Sequence, residues 1–144
     1  GLAVGIHGYV RATKDVDFVV YADPKELKEQ LASHGINAEL RRGDILEGDI
    51  PWVLYGEWEG VRFDILPPTV PIDWERREWV ALGDAEVKVV DVVSLIRLKL
   101  RAGGSLDFVD LAHLLRRHPG QQPGALELTQ DLLKRTGQDQ EFLG

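Results

Sequence analysis

The chain has 144 residues and a mass of 16.1 kDa, enough for one domain that buries a single substantial core. Its net charge of −7 argues against broad, charge-driven DNA binding, and no apolar run approaches the ~20 residues that cross a membrane. It contains no cysteine, which excludes disulfides and thiolate metal sites and makes the reducing cytoplasm the expected compartment.

In chain order, residues 1–8 (GLAVGIHG) are small and apolar and predict a short buried helix. A polar connector follows over 9–14, then a β-branched and aromatic run over 16–21 predicts a strand. Asp23-Pro24 opens a helix, with Asp23 as N-cap and Pro24 at the first helical position, and His34-Gly35 closes it. A second strand is expected over 36–41, and 43–51 reads as a loop. Residues 52–58 and 61–66 predict a hairpin turning on Glu59-Gly60. Pro67, Pro68 and Pro71 break the chain before a short helix over 74–79, and a strand over 85–90 follows the Gly83-Asp84 turn. Helices are then expected over 91–102, 107–117 and 124–136. The pattern is α+β: a sheet unit over 1–90, with C-terminal helices over 91–144 packing on it as one domain overall.

Two carboxylates stand at the start of the first strand. Side chains alternate faces along a strand, so Asp15 and Asp17 project from one face, with Cβ atoms roughly 7 Å apart. Like charges so placed repel, and burying them is costly unless a cation neutralises them; Mg²⁺, a hard ion that takes oxygen ligands, suits them. Asp64, in the strand 61–66, shares a face with Arg62 and Leu66. Alone it reads as an exposed strand Asp paired with Arg62. With Asp15 and Asp17 it completes three carboxylates on strands of one sheet, a two-metal arrangement.

The helix over 91–102 places Val92, Val93, Leu95, Ile96, Leu98, Leu100 and Ala102 on one wide apolar arc, with Ser94, Arg97 and Arg101 facing away. Lys99 falls at the centre of that arc. Either its amine reaches past its neighbours to water, or the helix delivers an ammonium to the acidic cluster or to a substrate phosphate. Asp107 and Asp110 open the next helix. Asp107 reads either as an N-cap or as a partner for Lys99, since it shares a face with Leu111, Leu114 and Leu115.

The connector before the acidic pair holds Arg11, Thr13 and Lys14, a basic loop suited to a triphosphate, and the backbone of Gly1 is placed to hold phosphate oxygens. His7, on a small apolar helix, reads as a satisfied core histidine or one that supports a site from behind, rather than a catalyst. The Arg pairs at 41–42, 76–77 and 116–117 read as solvated surface charge, and the four Trp as core and edge packing.

The block Gly1-Leu2-Ala3-Val4, His7-Gly8 and Arg11-Ala12-Thr13-Lys14-Asp15-Val16-Asp17, followed by the strand residue Asp64, resembles the polymerase-β-like nucleotidyltransferase superfamily. It looks especially like the minimal bacterial nucleotidyltransferases and the AbiEii-type abortive-infection toxins. In that resemblance Gly1 stands for the second Gly of a Gly-Gly or Gly-Ser turn, Asp15 and Asp17 for the metal-binding pair, and Asp64 for the third carboxylate. The stretch from Leu95 to Ala102, with Asp107-Phe108-Val109-Asp110-Leu111, is similar to the Lys-bearing helix and Arg-Asp-x-x-Asp element of those toxins, with Leu106 in place of the Arg. The match covers roughly residues 1–117.

The resemblance implies a mixed sheet flanked by helices and a Mg²⁺- or Mn²⁺-dependent transfer of a nucleoside monophosphate from an NTP to an RNA, protein or small-molecule hydroxyl. It implies metal ligation by Asp15, Asp17 and Asp64, and catalysis by these three with Lys99. Gly1, Arg11, Thr13, Lys14 and Asp107 are the expected substrate contacts. It also implies a toxin–antitoxin pair, hence a partner protein. The alternative is a catalytically weak module on the same fold that binds nucleotide or a partner without turnover.

Overall fold

A computed structural model describes residues 1–43 and 50–121 of the protein. The chain divides into two compact units. The first comprises Gly1–Leu2 and Val10–Thr69; the second comprises Ala3–Tyr9 and the chain from Val70 onward. The division at Thr69 groups the second sheet with the C-terminal helices. A mixture of sheet and helix confirms the α+β class.

The chain opens on a short helix, α1 (Leu2–Ile6). In the first unit, β1 (Asp15–Val19) leads into α2 (Pro24–Ser33), then β2 (Ala38–Arg42), β3 (Trp52–Trp58) and β4 (Val61–Leu66). The strands form one sheet in the order β1-β4-β3-β2, with β1 parallel to β4 and the remaining pairs antiparallel. Helix α2 forms where its signals stand. The Asp23 carboxylate accepts from the N–H groups of Lys25 (2.9 Å) and Glu26 (3.1 Å), with Pro24 in the first turn. Gly35, at φ 76°, stops the helix in a Schellman motif: Ile36 N–H reaches the Leu31 carbonyl and Gly35 N–H the Ala32 carbonyl. The β3–β4 hairpin turns on Glu59 (φ 50°) and Gly60 (φ 79°), the pair of positive φ values that a two-residue type I′ turn requires.

Alternation along these strands separates two faces. One carries Trp52, Leu54, Phe63 and Ile65, which pack with Leu27 and Leu31 of α2 and with Val20, Ile36, Ala38 and Leu40 into the core of this unit. Gly56 pairs with Phe63 there, and a Cβ on Gly56 would lie 2.6 Å from the Asn37 carbonyl oxygen and 3.0 Å from the Phe63 ring, so only glycine fits. The opposite face carries Asp15, Asp17, Asp64, Tyr55, Glu39 and Arg41.

In the second unit, a 3-10 turn (Trp74–Arg76) precedes β5 (Glu78–Leu82), β6 (Ala85–Val89), α3 (Val92–Ala102), α4 (Ser105–Arg117) and a 3-10 turn (Pro119–Gln121). The helix expected over 74–79 is therefore only one turn. Trp79 lies instead on β5, which pairs antiparallel with β6 and sets Trp79 opposite Lys88. Aromatic and β-branched residues at 79–80, with a Gly83-centred turn behind them, outweigh the helical reading. Asp91 caps α3 through Oδ2, and Gly103 at φ 66° ends it. The core joins Val4 of α1 to Leu95, Ile96, Leu111 and Leu114.

One orientation needs correcting. Ser94 does not face water with Arg97 and Arg101; it is fully buried, and its hydroxyl accepts the backbone N–H of Asp73 at 3.3 Å. A small hydroxyl that finds a backbone partner tolerates burial, which a hydropathy wheel does not register. Helix α4 begins at Ser105, two residues before the expected start. The expected helix over 124–136, and most of the loop over 43–51, lie outside the described residues.

Candidate active site

The parallel register of β1 and β4 builds the site. Asp15 pairs with Arg62, Asp17 with Asp64, and Val19 with Leu66, so all three aspartates project from one face, the face α2 does not cover. Asp17 and Asp64 occupy directly opposed positions on neighbouring strands, whose spacing is about 4.8 Å. One Asp15 carboxylate oxygen, Oδ1, is buried and has no hydrogen-bond partner. A buried anionic oxygen without a donor is costly, which makes it a natural point for a cation.

Electrostatics agree with the geometry. Partial burial first, then the charges of Asp17 and Asp15, raise the pKa of the Asp64 carboxyl above its ordinary value. The three carboxylates share a face without forming a closed ligand set: among the described residues, no group of three or more His, Asp or Glu side chains stands close enough to hold a metal ion. Mutual repulsion of like charges favours that separation. The donor set is all carboxylate oxygen, the type that Mg²⁺ and Mn²⁺ prefer, so the residues fit such an ion by chemistry and by the unpartnered Asp15 oxygen.

Two of the expected phosphate-loop residues meet. A Cβ on Gly1 would sit 2.2 Å from the Thr13 hydroxyl, so a larger residue at this position would displace the Thr13 side chain. The Thr13 hydroxyl donates to the Asp15 carbonyl at 2.9 Å and so ties this connector to the start of β1. The Arg11 guanidinium donates to the Ala12 carbonyl at 3.2 Å, and Lys14 is exposed beside the acidic pair.

Lys99 and Asp107 have partners of their own in the second unit. The Lys99 ammonium donates to Asp107 and to Asp110, each at 2.9 Å. Asp107 holds Lys99 with one oxygen and accepts the Gly104 N–H at 3.0 Å with the other, while Asp110 is fully buried. Of the two readings of Asp107, partner for Lys99 is the one the geometry fills. As a cap it acts from the third helical position, with Gly104 as N-cap. Burial works against the Lys99 charge, but hydrogen bonds and charges from Asp107 and Asp110 outweigh it and raise the ammonium's pKa. Asp110 was legible as the residue one turn beyond Asp107 on the same face.

His7 is buried and its Nε2 donates to the Val90 carbonyl at 2.7 Å, the satisfied core histidine that its small apolar helix suggested. The residue that sequence reasoning passed over is Tyr55, which pairs directly with Asp64 across β3 and β4. The alternation of Trp52, Leu54 and Gly56 against Val53, Tyr55 and Glu57 carried that signal.

No protein-family model and no curated protein matches the chain.

Proposed function

We propose that the chain is a divalent-metal-dependent nucleotidyltransferase, moving a nucleoside monophosphate from a nucleoside triphosphate to an acceptor hydroxyl through Asp15, Asp17 and Asp64. The observation that carries this reading is the β1–β4 register, which sets Asp17 against Asp64 and Asp15 one pleat away on the same face, opposite α2. The unpartnered, buried Asp15 oxygen supports it, because an anion so placed favours a bound cation. So does the resemblance of the 1–17 block and Asp64 to the nucleotidyltransferase pattern.

Bound cations would neutralise the triphosphate and lower the pKa of the attacking hydroxyl. Asp15 and Asp17 supply the oxygens that hold them, and Asp64 supplies a third. The acceptor oxygen forms a bond to the α-phosphorus, the bond from that phosphorus to pyrophosphate breaks, and the hydroxyl proton passes to Asp64. Gly1 and Thr13 hold the connector that presents Arg11 and Lys14 to the phosphates. A protein partner that restrains the activity, as in a toxin–antitoxin pair, belongs to the same proposal.

The test is label transfer from each α-labelled NTP, with Mg²⁺ or Mn²⁺, to total RNA or lysate. Transfer by the wild type that Asp15→Ala and Asp64→Ala abolish supports the enzyme. Nucleotide binding without transfer replaces it with a binding module, and absence of both metal and nucleotide binding overturns it.

A further inference from the structure

We propose that Arg41 and the Tyr55 hydroxyl form a phosphate-binding ledge on the sheet face that carries the three aspartates, gripping an anionic group of the substrate from the β2–β3 side. The inference rests on the nucleotidyl-transfer reading of that face and names how the substrate is held there.

A single row of paired positions runs across the sheet. Asp17 pairs with Asp64, Asp64 with Tyr55, and Tyr55 with Glu39, so all four side chains leave the same face. Arg41, two residues beyond Glu39 on β2, shares that face, and its guanidinium carbon lies 4.4 Å from the centroid of the Tyr55 ring. Cation–aromatic stacking holds the guanidinium over the ring, and the Arg41 side chain stays well exposed there. Strand β2 lies two strand spacings from β4, roughly 10 Å, so a cationic group stands opposite the anionic end of the face. Three carboxylates repel a triphosphate, and Arg62, opposite Asp15 on the same face, offsets only one of their charges. A guanidinium at the far side of the face supplies the attraction that draws a phosphate-bearing molecule across it.

Tyr55 adds a second donor. Its hydroxyl oxygen is buried and makes no hydrogen bond. Glu39 is the main cause that raises the phenol's pKa, through a hydrogen-bonding contact too loose in geometry to satisfy the hydroxyl. Glu39 also approaches the Arg41 Nε at 3.8 Å, long for a charge-assisted hydrogen bond, with both side chains well exposed. A phosphate oxygen is an acceptor that serves the exposed Arg41 guanidinium and the poorly satisfied Tyr55 hydroxyl together. Glu39 is then the competing carboxylate that the incoming anion displaces.

Titration of the full chain with inorganic tripolyphosphate, without divalent metal and at low salt, tests the ledge apart from any transfer activity. Arg41→Ala is expected to weaken binding about tenfold and Arg41→Lys by less, since Lys keeps the charge and lacks only the guanidinium fork. Tyr55→Phe should weaken it about threefold while leaving thermal stability equal or higher, because it removes a buried hydroxyl that has no partner. Glu39→Gln should tighten binding about threefold by removing the competitor. If Glu39 is instead the structural partner of this cluster, Glu39→Gln lowers stability and leaves binding unchanged, which overturns the proposal. Wild-type affinity in both Arg41→Ala and Tyr55→Phe overturns it as well. The two readings fail separately. Transfer that depends on Asp64, with an unaltered KM for NTP in Arg41→Ala, removes the ledge alone; tripolyphosphate binding that depends on Arg41, in a protein that transfers nothing, removes the nucleotidyl reading alone.

Discussion

Each unit of the chain carries a group of three aligned ionisable side chains, and the two groups are solved differently. In the second unit, Asp107 and Asp110 are joined by Lys99, whose ammonium lies 2.9 Å from each carboxylate. In the first, Asp15, Asp17 and Asp64 share a face with Arg62 but have no ion pair among the described residues, an Asp15 oxygen stays buried without a partner, and the Asp64 pKa rises. Neutralisation inside the fold belongs to a cluster whose work is holding helices together. Charge left without an internal partner and fixed in place by strand register is what the proposed metal-binding reading of the first cluster requires. The contrast also sets apart the two motifs that sequence resemblance links, since Lys99 and Asp107 pair with each other inside the second unit.

The strongest way to break the comparison is to remove the internal cation. Lys99→Met keeps the side-chain length but leaves the fully buried Asp110 and the half-buried Asp107 facing each other. Breaking a buried pair from one side costs about 3–5 kcal/mol, so urea unfolding should show a loss of that order. A loss below ~1 kcal/mol would mean the ion pair is a surface ornament and the proposed contrast is empty.

The next effect is the external cation. Mn²⁺ or Mg²⁺ that binds the folded state only stabilises it by about 2.7 kcal/mol when present at a hundred times its Kd. A thermal melt with and without Mn²⁺ should therefore show an upward shift in the wild type. That shift should vanish in Asp17→Asn, a residue with no part in the core of either unit. An equal shift in both proteins would place the ion elsewhere.

How far the chain discloses itself in sequence differs between these regions for physical reasons. The hairpin over 52–66, the cap of α2 and the face shared by Asp15, Asp17 and Asp64 follow from short-range rules: turn chemistry at Glu59-Gly60, an Asx cap before Pro24, and a period of two. Lys99 stood out because an ammonium in the middle of an apolar arc must reach water or a partner, and pairing with Lys99 was one of the two readings of Asp107. What stayed hidden depends on pairing between distant segments. The burial of Ser94 is decided by the Asp73 backbone, and the neighbour of Asp64 on β3 is decided by hairpin register. The strand at Trp79 was masked by a Trp-Glu-Arg-Arg run with ordinary helical propensity, which pairing with β6 overrides.

The smallest effect separates the clusters by pH. Both Asp64 and Lys99 have raised pKa values, so the stability each contributes is present below the unfolded pKa and lost as pH rises through the folded one. For Lys99 that window opens above 10.5, outside any working range, so the tie between α3 and α4 is indifferent to physiological pH. For Asp64 the window opens just above 3.8, so at neutral pH the folded state already bears the strain of an ionised carboxylate beside Asp17. Asp64→Asn removes that strain. Without metal it should be more stable than the wild type by roughly 0.2–1 kcal/mol, the cost of like charges directly opposed on neighbouring strands, or roughly 1–4 °C in Tm. The gap should close as pH falls towards 3.8, where the wild-type carboxyl is itself protonated. A variant that loses the proposed activity while gaining stability is the mark of a residue kept for its chemistry. An Asp64→Asn protein less stable than the wild type at pH 7 would instead make Asp64 a structural residue, and the two clusters would be alike.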